Sequence, residues 1–310
     1  MREQIIDLWK ISFGDSDDFI RLWFDRVYKD EQTLVIRQND KIVSALQILP
    51  YEMTYCKTTI PIGYICGVCT LPSERGKSYM NQLMCQAVTA MQNQHYVLAV
   101  LIPATPLLFD LYRRFKFANA FDYSIEEIQS NNSFNHSDSS IQIVSYEKLS
   151  QDLIYAYYHT KQRERDCSIL HSADQFETIC QDWILGRGEI WTAISDNQLV
   201  GLMFTEPVTN DTLSIREIMV DDVATKNKLV QSILNHHQLK IAKLRIPADQ
   251  SNSNAYGMAR IINKEQMIDT YCSFHTASPL PDLINLDIPL LTQTLLKYDQ
   301  RQPYLNLMLD

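Results

Sequence analysis

The sequence predicts a mixed α/β protein whose two halves repeat the same order of helices and strands. Its 310 residues are 45% hydrophobic and 21% charged. These values are typical of a globular chain, and the length suggests about two domains. Apolar residues recur first at helical spacing and then in strand-like runs. After a polar, turn-rich stretch at 129–140, the same order returns. The repeat is one of architecture, without clear residue identity between the halves.

In the first half, helices precede strands. An apolar stripe predicts a helix at 4–13, and Asp15 is expected to cap a second helix that buries Trp23. Strands are then predicted at Thr33 to Arg37, Ile42 to Leu49, Tyr51 to Ile60 and Gly63 to Leu71. After a polar loop the pattern predicts a helix from Tyr79, a strand at Tyr96 to Ile102, a helix at Thr105 to Phe115 and a strand at Phe117 to Tyr123.

The second half repeats this order from Ile141. Helices are predicted at Tyr146 to Thr160 and Ala173 to Leu185, followed by strands at Ile190 to Ser195, Leu199 to Pro207 and Thr212 to Val220. A helix at Asp222 to His237 and a strand at Leu239 to Ile246 complete it. Beyond Met258 the pattern is irregular, with a strand at Ala259 to Ile262, a helix at Leu290 to Tyr298 and a final strand at Tyr304 to Leu309.

Charge is unevenly distributed along the chain. Residues 1–125 have no net charge, whereas residues 126–310 carry all of the net −9. An acidic half makes nucleic acid an unfavourable partner, while a cationic ligand would be attracted. Seven scattered cysteines argue against a disulfide framework. The first residues lack the apolar core of a signal peptide, and no run is long enough to span a membrane. We therefore expect a cytoplasmic protein with no membrane partner.

The strongest local feature is the stretch from Gly67 to Met80, in which the end of the strand predicted at Gly63 to Leu71 leads through a polar loop into a helix at Tyr79. Free backbone N–H groups at such a helix start, together with the positive end of the helix dipole, can bind pyrophosphate. Arg75 and Lys77 add positive charge there. The other interpretation is an ordinary strand-to-helix connection with solvated basic residues, and the spacing alone does not separate the two.

This stretch resembles the acetyl-CoA loop of the GNAT N-acetyltransferases, whose pattern is Arg/Gln-x-x-Gly-x-Gly/Ala after the fourth strand. Arg75 matches the first position, and Gly76 and Lys77 match the two residues that commonly follow it in the family. Ser78 and Met80 stand where the pattern has Gly and Gly/Ala. The resemblance implies acetyl-CoA as co-substrate and no metal. The residues implied to bind acetyl-CoA are Val68, Thr70, Arg75, Gly76, Lys77, Ser78 and Tyr79.

A second match lies about one strand and one helix further on. Leu111 to Phe117 resembles the family's Leu-Tyr-x-x-x-Gly-Phe, with Lys116 in place of the glycine. In the family this tyrosine protonates the departing thiolate, which implies that Tyr112 is the general acid. The alternative is that Tyr112 is simply a core tyrosine of an amphipathic helix. The family's usual glutamate base is absent from Tyr64 to Cys69.

The two-copy layout resembles the tandem-GNAT proteins related to the enhanced-intracellular-survival acetyltransferases. That resemblance implies a GNAT domain at 1–128, a linker at 129–140, a degenerate second GNAT-like domain at 141–257 and a C-terminal segment at 258–310 that is a shortened sterol-carrier-like remnant. In those relatives a C-terminal carboxylate enters the active site, so Asp310 is the candidate base. The alternative is a packed or frayed tail.

The function expected from this resemblance is acetyl-CoA-dependent N-acetylation of a primary amine, on a small molecule or a peptide. A cationic amine suits the acidic second half, and a homo-oligomer is allowed. The rival is a non-catalytic CoA- or partner-binding protein, which the departures at Ser78 and Lys116 favour. Aminoacyl transfer from tRNA is a third hypothesis, which the charge disfavours.

In the second half, Asp221 and Asp222 stand where pyrophosphate would bind and should repel it. Cys66 and Cys69 are expected on opposite strand faces, which argues against a metal or redox pair.

Overall fold

The computed structural model describes residues 1–131, 140–248, 253–275, 280–296 and 303–309. Its helices are α1 (Arg2–Phe13), α2 (Asp17–Arg26), α3 (Tyr79–Asn93), α4 (Pro106–Arg113), α5 (Gln151–Glu164), α6 (Ala173–Leu185), α7 (Val223–His236), α8 (Lys264–Phe274), α9 (Leu280–Asn285) and α10 (Ile288–Leu295). Its strands are β1 (Thr33–Gln38), β2 (Lys41–Tyr55), β3 (Thr58–Thr70), β4 (Leu98–Leu101), β5 (Ala118–Gln129), β6 (Ile141–Ser145), β7 (Ile169–Leu170), β8 (Glu189–Ser195), β9 (Gln198–Thr205), β10 (Thr212–Val220), β11 (Ile241–Pro247) and β12 (Asn254–Ile261).

A single twelve-stranded sheet runs through both halves. Its order is β1-β2-β3-β4-β12-β5-β11-β10-β9-β8-β6, and β7 pairs with β2. The β3–β4 and β10–β11 pairs are parallel, each connected by one helix, α3 or α7. The remaining ladders are antiparallel. The mixed α/β class predicted from the sequence is confirmed.

The two halves exchange strands at the centre of the sheet. β12 comes from the second half but lies between β4 and β5. β5 comes from the first half but pairs with β11. Each half therefore places one strand beside the parallel pair of the other. The sequence-based domain limits remain predictions.

The hairpin in the first half differs from the prediction of four strands. One long strand, β2, replaces the strand at 42–49 and the first part of the one predicted at 51–60, and the turn falls at Cys56 and Lys57, both with positive φ. Pro50 and Pro61 lie within the ladder, opposite Gly63 and Glu52. Pro50 has no N–H to donate to a neighbouring strand. It is tolerated because β1 pairs with β2 only up to Gln47, so no residue of β1 lies opposite Pro50.

Three further sequence predictions are wrong. Ser16, not Asp15, caps α2, since its side chain accepts from the Phe19 N–H; the Asp15 carboxylate accepts from Trp9 Nε1 at 2.7 Å. Residues 304–309 are buried but form only an isolated bridge, between Tyr304 and Ser168. The region after Met258, predicted as irregular, contains α8.

The core is divided by the sheet. On one face, α1 and α2 join elements of the second half and the buried tail in the largest apolar cluster, which includes Trp9, Trp23 and Leu305. On the other face, α3 and α4 cover the first half's strands. A third cluster packs α7 against β9 to β11. No helix formed by the described residues is long and apolar enough to cross a membrane.

Candidate active site

A β-bulge interrupts β3 at Gly67. Gln47 pairs with Cys66 and Ala45 with Cys69, so one residue of β2 lies opposite two of β3. Gly67 has φ +59, and a Cβ there would lie 2.7 Å from the Trp9 ring. Only glycine meets both conditions without displacing the tryptophan. The sequence pattern did not predict this bulge, although a glycine inside an apolar strand is its usual signal.

The bulge changes which side chains share a face of β3. Cys66 and Cys69 both pack with the α1–α2 side of the sheet, because their partners Gln47 and Ala45 are two residues apart. The expectation of opposite faces is therefore wrong. Burial raises the pKa of both thiols, to about 12 for Cys69. Within the described part of the chain, no group of three His, Cys, Asp or Glu could hold a metal ion.

The end of β3 has an open edge. β4 pairs with β3 only from Ile62 to Ile65, and ends at Leu101. The Leu71 N–H donates to Val43 O on β2 at 2.9 Å. Since consecutive N–H groups of a strand point to opposite edges, the Thr70 N–H points to the open edge. Val68, next to the bulge, packs on the α3–α4 side.

The start of α3 carries the loop that the sequence analysis singled out. Gly76 has φ +81 and Ser78, the N-cap residue, has φ +62. No side chain caps this helix, and no acidic residue lies in its first turn. The first N–H groups of α3 are therefore available to an anion. Ser78 therefore has a left-handed backbone at the position where the family pattern has glycine.

The two basic residues of this loop differ. Lys77 Nζ lies 2.8 Å from Glu74 Oε2, and this hydrogen bond raises the pKa of Lys77. Arg75 and Lys77 are both exposed. Tyr79, the first residue of α3, is half-buried against the large core cluster. The charge that Lys77 can offer is thus shared with Glu74, whereas Arg75 projects at the loop surface.

Tyr112 lies in the core and beside β3 at the same time. It is 6% exposed on α4 and packs in the cluster that contains Ile65 and Leu83. Burial, and then the neighbouring Cys66 thiol, raise the pKa of its hydroxyl to about 12. The side chain therefore stays protonated at neutral pH and lies next to the bulged part of β3. The two sequence interpretations of Tyr112, core residue and functional residue, are compatible.

Lys116, like Ser78, has a left-handed backbone where the family pattern has glycine. Its φ is +63. Asp310, the candidate base, lies outside the described residues. Tyr304 to Leu309, just before it, are buried, and Leu309 lines a cavity together with Tyr51 on β2 and Thr178 on α6.

The second half presents acids at the matching helix start. Asp222 caps α7, and its carboxylate accepts from the Thr225 N–H at 2.7 Å, which lowers the pKa of Asp222. Asp221 pairs with Lys161 at 2.9 Å and accepts from the Tyr157 hydroxyl at 3.1 Å. The first turn of α7 is therefore occupied by the protein's own carboxylate.

Comparison with known proteins bears on this geometry. Residues 2–120 match the model of the acetyltransferase (GNAT) domain family. Over these residues the chain is therefore similar to a GNAT acetyltransferase domain. The bulged β3, the α3 loop and Tyr112 all lie within the matched residues. A search of curated proteins finds no match to the chain.

Solved structures extend the likeness to both halves of the chain. A GCN5-related N-acetyltransferase from Anabaena variabilis has a TM-score of 0.70 at 16% identity, over 86% of this chain and 72% of that one. A probable N-acyltransferase from Enterococcus faecalis V583 has 0.70 at 15%, over 87% and 72%. Eis1 from Mycobacterium abscessus has 0.68 at 11%, over 87% and 73%. At these identities the likeness shows the fold, a GNAT acyltransferase fold in two halves.

Proposed function

We propose that this chain is an acetyl-CoA-dependent N-acetyltransferase that acts on a primary amine of a small molecule or peptide. The start of α3 is the observation that carries the proposal. It has no side-chain cap, its loop has two left-handed residues, and an exposed arginine precedes it. This arrangement fits a diphosphate, which needs clustered N–H donors and positive charge. The family match over the same residues supports it.

The residues divide into a binding group and a reacting group. Acetyl-CoA supplies an acetyl thioester. Arg75, Gly76, Lys77, Ser78 and Tyr79 would hold its diphosphate at the start of α3. The Thr70 N–H at the open edge of β3, with that of Val68, would polarise the thioester carbonyl. The Tyr112 hydroxyl would give its proton to the sulfur as the carbon–sulfur bond breaks.

The acceptor amine must be neutral to attack the carbonyl carbon, so a group has to take its proton. Within the GNAT domain, β3 from Tyr64 to Cys69 offers no carboxylate. We keep Asp310 as the proposed base, because the neighbouring Leu309 is buried and lines a cavity shared with Tyr51 of β2. A cationic amine remains the preferred substrate class, since the second half carries the net negative charge.

Binding of acetyl-CoA is tested first, by thermal melts. A ligand that binds only the folded state stabilises it by about 2.7 kcal/mol at a hundredfold excess over Kd. We expect a clear rise in melting temperature for the wild type and none for Arg75→Glu. Arg163→Glu, the same change at an exposed residue of α5, should keep the full rise. No rise with the wild type would overturn the proposal.

Turnover is tested next, with a panel of primary amines. Tyr112→Phe should lower kcat by about a hundredfold or more and leave acetyl-CoA binding intact, because only the proton donor is lost. Tyr96→Phe is the matched control, since Tyr96 packs against the same cluster. Binding without turnover on any amine would favour the rival, a non-catalytic CoA-binding protein. Unchanged turnover in Tyr112→Phe would refute the role given to this residue.

A further inference from the structure

The second half has its own gap between parallel strands. β10 pairs with β11 from Thr212 to Ile215, beyond which no β10–β11 pairing continues, and β10 has a register shift at Arg216. A cavity of about 340 Å³ lies at this gap, bordered by β10, β11 and α5. It is the counterpart of the open edge beside Thr70 in the first half, and six charged side chains contribute to its lining.

Arg245 is the unusual residue of this cavity. Its side chain lines the cavity although only 6% of the residue is exposed. Its Nε and Nη2 atoms are buried without a hydrogen-bond partner, and no carboxylate among the described residues pairs with it. Burying an unpaired charge is costly, because the charge loses its hydration without an opposite charge to replace it.

The neighbours of Arg245 hold the guanidinium in place without neutralising it. The rings of Tyr256 and Tyr123 lie 3.7 and 4.1 Å from it, and Tyr304 lies at 5.8 Å. Such ring stacking compensates part of the lost hydration and fixes the plane of the fork. It leaves the charge itself without a counterion.

The acids around the cavity already have cationic partners. Glu217 forms two hydrogen bonds with Arg165, at 2.9 and 3.1 Å. Lys226 pairs with Glu126 at 2.7 Å. The lining has four cationic side chains and two acidic ones, and Lys161 also pairs with Asp221 outside the lining. Within the described residues, Arg245 is therefore the one cation of the lining that has no carboxylate partner.

We propose that this cavity is a binding site for a small carboxylate anion, with Arg245 as its anchor. A planar carboxylate can accept two parallel hydrogen bonds from a guanidinium fork, which answers the unpaired nitrogens of Arg245. Lys226 and Lys161, both partly exposed at the lining, would add attraction at the entrance. The proposal concerns the second half and does not depend on acetyl transfer by the first.

Calorimetric titration of the full-length protein with succinate, at low ionic strength, tests the site. The wild type should bind succinate, and Arg245→Gln should weaken binding by about tenfold or more, because the charged fork is lost. Arg245→Lys keeps the charge but not the fork, so it should recover only part of the affinity. Lys243→Gln is the matched control, because it removes a charge from an exposed residue of the same strand and should change nothing.

Two further arms keep the outcome unambiguous. Lys226→Gln tests the cavity without changing Arg245 or the tyrosine rings around it, and should weaken succinate binding several-fold. This variant keeps the test possible if Arg245→Gln does not fold. Titration with inorganic phosphate separates anion classes. Three outcomes would each overturn the carboxylate site: no binding of succinate by the wild type, wild-type affinity for succinate in Arg245→Gln and Lys226→Gln, or binding of phosphate alone. Arg245 would then be a structural residue stacked on tyrosines.

Discussion

Helices α3 and α7 begin at equivalent places in the two halves, yet their first turns differ. Each follows a strand of a parallel pair and leads to the second strand of that pair. Ser78 begins α3 in a left-handed conformation and caps nothing. Asp222 begins α7 in an extended conformation and caps the Thr225 N–H. One helix start is left open to a ligand, and the other is closed by the protein itself.

The strands before these helices show the same contrast. Both β3 and β10 are bulged just after the point where pairing with their parallel partner stops. In β3 the bulge contains Gly67 beside Trp9. In β10 it contains Arg216 and Glu217, which form ion pairs with Glu206 and Arg165. The comparison teaches that one backbone plan can serve two chemistries, because the side chains at the gap decide what enters it.

The largest expected effect comes from giving α3 the charge of α7. Ser78→Asp places a carboxylate where the diphosphate is proposed to bind, and repulsion at that distance should weaken acetyl-CoA binding by about a hundredfold or more. Ser78→Asn is the control, since it has the same shape without the charge and tolerates a left-handed backbone. Titration of acetyl-CoA into both variants measures the difference. Equal affinities would mean that the diphosphate binds elsewhere.

The next effect is on the pH dependence of stability, and it arises where β7 of the second half pairs with β2 of the first. His171 follows β7, which pairs with β2, and burial lowers the pKa of its imidazole to about 3. The unfolded chain binds a proton near pH 6.5 while the folded one does not, so stability falls as pH decreases below 6.5. His171 should therefore lower the free energy of unfolding by about 2 kcal/mol between pH 7 and pH 5.

Urea unfolding at the two pH values measures this loss. His171→Asn should remove that part of the pH dependence, whatever it does to stability at pH 7. His95→Asn changes an exposed histidine and should leave the dependence as in the wild type. The same slope in all three proteins would contradict a neutral, buried His171.

A smaller effect concerns the closed helix start. Asp222→Ala removes the side chain that caps the first turn of α7, and the melting temperature should fall by about 2–4 °C. Asp222→Asn keeps the cap and should melt close to the wild type. Because Asp221 and the Arg165–Glu217 ion pair remain, we expect neither variant to acquire a second acetyl-CoA equivalent in calorimetry. A second equivalent would show that the acid cap alone closes this half.

The smallest effect tests the glycine positions of the family pattern. Lys116 has φ +63, so Lys116→Gly should relieve strain and stabilise the protein by about 0.5–1 kcal/mol. Arg114→Gly, two residues earlier in a right-handed conformation, should destabilise it. Urea unfolding compares the two. A loss of stability in Lys116→Gly would mean that the lysine side chain contributes more than the backbone strain costs.

Much of the fold could be predicted from the sequence, because it depends on local periodicity. The helix at Ala173–Leu185 and the repeated order of elements follow from apolar spacing alone. The exchange of β5 and β12 could not be predicted, since strand order depends on contacts distant in sequence. Pro50 and Pro61 suggested breaks in a hairpin whose turn is at Cys56 and Lys57.

The candidate site was predictable where a short pattern exists. The residues of the α3 loop and Tyr112 came from such patterns, and their left-handed or buried states came from the structure. The bulge at Gly67 reverses which face Cys69 occupies, and period-two reasoning fails at any inserted residue. Arg245 was missed, although a charge within the apolar run Leu244 to Ile246 is itself a signal.

The exchanged strand β12 also sets an order in time. β4 gains its antiparallel neighbour only from residues 254–261, which a ribosome adds more than 150 residues after Leu101. Until then, the edge of β4 that β12 will cover is exposed in the nascent chain. Such an edge is a template for wrong pairing, so synthesis of the first half alone leaves an aggregation-prone intermediate. A chaperone that shields unpaired strand edges would act on this protein during that interval.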